Sequence, residues 1–129
     1  MKKIAIAALF ALAPGAALGA PGVTDISKTS SGEALYATIC QACHMADAKG
    51  GTGAGVIPAL ANNPRLKLAD YPVTLIVQGR GAMPGFTDTL NPAQIAAVAT
   101  YVRTHFGNSY TDPVTPAQVE TRIKALGAQ

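Results

Sequence analysis

Five consecutive residues, Cys40-Gln41-Ala42-Cys43-His44, restrict this 129-residue chain more than any other stretch. Two thiols three positions apart fit within one helical turn, where each can add to one of two neighbouring vinyl groups of a porphyrin. A histidine directly after them then falls beneath the iron. The pattern predicts one covalently held haem on Cys40 and Cys43, with His44 as the proximal ligand. Three other chemistries use such pairs. Disulfide exchange of the thioredoxin kind needs a βαβ setting in which the pair opens a helix after a buried strand, whereas Glu33 to Ile39 reads as helix. Tetrahedral zinc needs four ligands, and beyond the motif only His105 remains among Cys and His, at an unsuitable spacing. A structural disulfide closing so short a loop would remove little chain entropy.

An iron that shuttles electrons needs a sixth ligand that stays in place, and the chain holds three methionines. Met1 lies in the leader, and Met45 adjoins His44 on the same side of the porphyrin. Met83 remains, in Gln78-Gly79-Arg80-Gly81-Ala82-Met83-Pro84-Gly85-Phe86, where glycines permit close approach of backbone to a flat ligand and Pro84 stiffens the loop. A methionine filling a core gap is the ordinary alternative; the Met/His pairing of haem electron carriers favours ligation. His105, between Thr104 and Phe106, is the rival sixth ligand, and a surface histidine is its ordinary reading. Arg80 is a candidate partner for a haem propionate or, equally, a solvated charge.

The start of the chain has the form of a secretory signal peptide: Met1-Lys2-Lys3, an apolar run from Ile4 to Ala13, then small residues through Ala20. Residues 1–19 are read as that signal, 20–29 as an N-terminal extension and 30–129 as the main domain. The leader is too short to span a bilayer, and no cysteine precedes Cys40 to carry a lipid. A soluble, periplasmic mature protein is the resulting expectation. Losing Lys2 and Lys3 leaves eight Lys/Arg against seven Asp/Glu. Scattered singly, these charges cannot track a phosphate backbone, so nucleic acid is not an expected partner. About a hundred residues make a small core, and the haem supplies apolar mass; the apo chain is expected to fold poorly.

Caps punctuate the rest. Ser30-Ser31-Gly32-Glu33 fits a capping box for a first helix that turns Leu35, Tyr36 and Ile39 inward and ends at the cysteines. Lys49 to Gly55 is Gly-rich and expected to be irregular, and Asn62-Asn63-Pro64 marks a turn. Tyr71 to Gln78 has the β-branched content of a strand. Asn91-Pro92-Ala93-Gln94 opens a helix carrying Ile95, Val98, Ala99, Val102 and Phe106, closed by Gly107. Thr115-Pro116-Ala117-Gln118 opens another, whose Val119, Ile123 and Leu126 either pack on the body or dock a partner.

Taken with the haem motif and Met83, Gly32 and Tyr36 on the first helix and Tyr101 on the later one resemble the crossed helices of a monohaem class I cytochrome c. The resemblance covers essentially the whole mature length. It implies an all-α fold of helices wrapped around one covalent haem c, with an extra short C-terminal helix, and a helix rather than a strand before Gly79. It further implies that Pro58, in Gly53 to Leu60, lends its carbonyl to the proximal histidine. The segment from Met83 through Phe106-Gly107-Asn108 is similar to the small cytochrome subunits of periplasmic dehydrogenases. The expected function is therefore one-electron transfer without substrate turnover, between a dehydrogenase donor and an oxidase or cytochrome acceptor. Ala42, Met45 and Gly81 to Ala82 would form the contact patch around the haem edge. The rival reading is a gas-binding or peroxidatic haem protein with a displaceable sixth ligand.

Overall fold

The structure, a computed structural model, describes residues 25–52 and 55–128. The expected signal at 1–19 and residues 20–24 of the expected extension lie outside the described residues. The remainder of that extension forms a single tight turn, Ile26–Lys28, capped by Asp25. It is tied to the body because Gln94 Nε2 donates to the carbonyls of Ile26 (2.7 Å) and Thr29 (2.9 Å).

The first helical run has three parts: α1 (Gly32–Leu35), a π turn over Tyr36–Cys40, and α2 (Gln41–His44). Its cap is Ser31, whose side chain accepts from Ala34 N–H, one residue later than the Ser30/Glu33 box implies. The π turn, in which Gln41 N–H reaches back to Tyr36 O, inserts extra chain into the helix and re-aims the haem-motif residues beyond it; such insertions cluster at functional sites. The Gly-rich stretch expected to be irregular instead pairs antiparallel, β1 (Gly51–Thr52) against β2 (Val56–Ile57), with Gly51 opposite Ile57. Among the described residues this two-stranded sheet sits within an otherwise helical fold.

Asn63 caps a 3-10 turn over Pro64–Lys67, and α3 (Asp70–Gln78) comes next. Its Val73, Ile76 and Val77 are buried at helical spacing, Pro72 sits harmlessly in the first turn, and Gly79 at φ 73° ends it. Helical context thus overrides β propensity. In α4 (Pro92–Thr104) Asn91 and Gln94 form a reciprocal capping box, as does Thr115 with Gln118 at α5 (Pro116–Leu126). Helix α4 stops at Thr104, not at Gly107: His105 is extended, and Phe106 and Gly107 both take positive φ.

Helices α1 and α4 cross at Gly32, where a Cβ would collide with Ala97 O and come within 2.8 Å of Tyr101 Cβ. Around this crossing Tyr36 packs on Tyr101 and Phe106, ring centroids 5.8 and 4.8 Å apart. The stripe Ile95, Val98, Ala99 and Val102 is buried beneath. Helix α5 packs on α3 and α4, with Val119 fully buried and Arg122 paired with Asp70. Of its two expected placements, the structure shows the one against the body. No helix among the described residues is long and apolar enough to cross a membrane.

Candidate haem site

Between the end of the first helical run and the loop after α3 lies a cavity of about 380 Å³, walled mainly by apolar groups. Cys40, Cys43 and His44 line one side and Met83 the loop side; Pro58 and Arg80 also reach it. All six residues expected from the sequence to serve the haem therefore converge. Met45 does not line it and is 45% exposed. His105 is exposed as well, stacked on Tyr101 at 4.1 Å with Nδ1 3.0 Å from Tyr101 O, away from the cavity.

His44 is buried, and its Nδ1 is 3.1 Å from Pro58 O. A carbonyl can only accept, so Nδ1 carries the proton and Nε2 is left as the free electron pair. Burial lowers the His44 pKa, against the opposing pull of the Pro58 carbonyl, which favours the neutral ring that binds metal. Cys40 is half-buried and Cys43 exposed. Burial foremost, with the neighbouring Cys43 adding, pushes the Cys40 thiol up to about 11.

The Met83 loop is held by its own backbone. Arg80 N–H donates to Met83 O (2.8 Å) and Met83 N–H returns to Arg80 O (3.0 Å), while Phe86 N–H reaches Ile76 O (2.9 Å). Two of its glycines serve this closure. At Gly79 a Cβ would stand 2.5 Å from Met83 O, and at Gly85 2.7 Å from Val77 O, whereas Gly81 faces open space. The half-buried Met83 side chain is thereby fixed to the end of α3.

Sequence reasoning missed two polar residues of the wall, Arg65 and Tyr71. They lie six residues apart, in the 3-10 turn and the first turn of α3, and meet with Arg65 Nη1 3.5 Å from Tyr71 Oη. The only sequence signal was an arginine after Asn-Asn-Pro.

An apolar cavity with two thiols, an oriented neutral imidazole and a thioether on its walls fits a covalently bound porphyrin. Set in helices crossed at Gly32, it defines a c-type cytochrome domain. The family model described as cytochrome c oxidase, cbb3-type, subunit III matches residues 27–102, and the chain belongs to that family. It is similar to the cytochrome c subunit of the quinone alcohol dehydrogenase of Gluconacetobacter polyoxogenes, 34% identical over 75% of this chain and 23% of that protein. It is also similar to the fructose dehydrogenase cytochrome subunit of Gluconobacter japonicus, 32% identical over 82% and 24%. Cytochrome c6 of a Picosynechococcus species is 32% identical over 79% of this chain and 92% of that protein. The chain spans about a quarter of the length of those two dehydrogenase subunits. Its cofactor is one covalently bound haem c.

Proposed function

We propose that this chain is a periplasmic one-electron carrier in which Cys40 and Cys43 would hold the haem through thioethers and His44 and Met83 would ligate its iron. Haem c, when bound, supplies a ferric/ferrous couple. The observation that carries the reading is the placement of the His44 imidazole and the Met83 thioether on the walls of one cavity whose rim bears both thiols. Pro58 fixes the imidazole tautomer and makes the ring a stronger donor. The Met83 thioether favours the ferrous state, and the apolar walls push the same way. Arg80, Arg65 and Tyr71 line the same cavity and would be the polar groups available to the haem carboxylates. The expected contact patch at Ala42, Met45, Gly81 and Ala82 is exposed, and Val56, 80% exposed at the cavity edge, extends it. A small apolar patch of this sort suits a brief redox encounter. The names of the dehydrogenase relatives support a dehydrogenase as donor, with an oxidase or another cytochrome as acceptor. The same reading keeps residues 1–19 as an export signal, 20–29 as an extension and 30–129 as the cytochrome domain.

The test is Met83→Ala. The purified variant is expected to lose the near-infrared sulfur-to-iron absorption, to show a lower midpoint potential, and to bind carbon monoxide rapidly when reduced. Retention of the parent absorption and midpoint would show that Met83 is not the sixth ligand. Rapid, complete carbon monoxide binding by the parent protein would favour the open-site, gas-binding alternative.

A further inference from the structure

The residue after His44 is held in a conformation that side-chain-bearing residues avoid. Met45 has φ 68° and ψ 164°, a region almost confined to glycine, and such strain persists only where surrounding contacts overdetermine it. Those contacts are specific. Met45 N–H donates to Gln41 O at 3.0 Å, and Met45 O accepts from Ala48 N–H at 3.2 Å. It also accepts, at 2.8 Å, from the hydroxyl of Tyr36.

Tyr36 is itself immobilised, buried in the α1–α4 crossing between Tyr101 and Phe106. Burial is the main force that pushes its phenol to about 12, helped by Cys40, Tyr101 and Asp47, so it remains a protonated donor. The strained link leads straight to the other end of the His44 contact. His44 O accepts from Gly50 N–H (3.1 Å), and Ala48, also at positive φ, accepts at its carbonyl from Leu60 and Ala61 N–H (2.8 and 2.9 Å). Leu60 lies two residues beyond Pro58, which receives His44 Nδ1–H. Residues 44–48 and 58–61 thus form a closed ring of hydrogen bonds, clamped from outside by one side chain.

We propose that Tyr36 is a positioning residue for His44: its hydroxyl holds the strained Met45 peptide and so fixes the His44–Pro58 hydrogen bond. The inference rests on the reading of His44 as the proximal ligand. A tyrosine that merely packs would leave that bond unchanged when its hydroxyl is removed.

The haem-loaded parent, Tyr36→Phe, Met45→Gly and the double variant are compared by the NMR exchange rate of the His44 Nδ1 proton in the ferrous state and by midpoint potential. Tyr36→Phe is expected to speed exchange about tenfold, the scale of one lost hydrogen bond, and to raise the midpoint as the Pro58 contact weakens. Adding Met45→Gly, which adopts this conformation without strain, is expected to restore both. A Tyr36→Phe protein that melts earlier but keeps the parent exchange rate and midpoint overturns the proposal, as does a double variant no closer to the parent than Tyr36→Phe. Should Tyr36→Phe fail to assemble, assembly of the double variant supports the proposal and its failure overturns it. A parent protein without haem, or with His44 unligated, sinks the functional reading and this inference together; a normal parent with an unresponsive Tyr36→Phe sinks this inference alone.

Discussion

Arg103 has no exposed surface, yet it carries a full charge. Its guanidinium donates from Nε to Leu66 O (2.9 Å), from Nη2 to Lys67 O (3.2 Å) and to the Asp112 carboxylate (2.8 Å), and from Nη1 to Asp112 O. One side chain therefore satisfies the turn before α3 and the linker before α5. Replacing it with leucine leaves those acceptors without partners, a loss of about 3 kcal/mol, read as a fall of roughly 10–20 °C in melting temperature of the holoprotein. Asp112 behaves differently because it is mostly exposed. The Arg103 hydrogen bond holds its carboxyl below the ordinary value of 3.8. Its contribution is complete above that value and disappears as pH falls through the lower folded-state value. Melting measured from pH 6 downward should fall more shallowly in Asp112→Asn than in the parent.

At the scale of elements, the crossing of α1 and α4 depends on backbone approach at Gly32. An added methyl meets Ala97 O, a backbone atom that cannot swing aside. Gly32→Ala should cost about 2 kcal/mol in chemical denaturation. Helix α5 depends on its cap, and Thr115→Ala should cost about 1 kcal/mol, read in the same way. These elements were legible because their signals are local. Asn91 with Gln94, Thr115 with Gln118, and Gly79 each close a bond within a few residues. Other features are hidden because they are made at a distance or leave no mark in composition. Gln94 doubles as the anchor for Ile26 and Thr29, more than sixty residues away, and no spacing rule announces that. The β1–β2 pairing lies inside a Gly-rich run, and the π turn over Tyr36–Cys40 has the composition of any helix. Within the site, the haem motif and Met83 stood out by residue type, whereas Arg65 and Tyr71 join the wall only after the 3-10 turn folds against α3.

Around the cavity the described helices and loops form a mostly apolar shell. Ile39, Leu75 and Phe86 are part-buried and line that space, so filling it covers more of their apolar surface. Production of a Cys40→Ala/Cys43→Ala chain should give a polypeptide with little near-ultraviolet dichroism and no cooperative melting transition; a sharp transition would show that the shell closes by itself. The unequal settings of the two thiols bear on the order of assembly. Cys43 is open to solvent, whereas Cys40 is half-covered and its thiol held in the unreactive neutral form. If both sulfurs are joined to one haem, Cys40 is as open to that step as Cys43 only before the helices pack around it, which puts attachment ahead of compaction as the expected order.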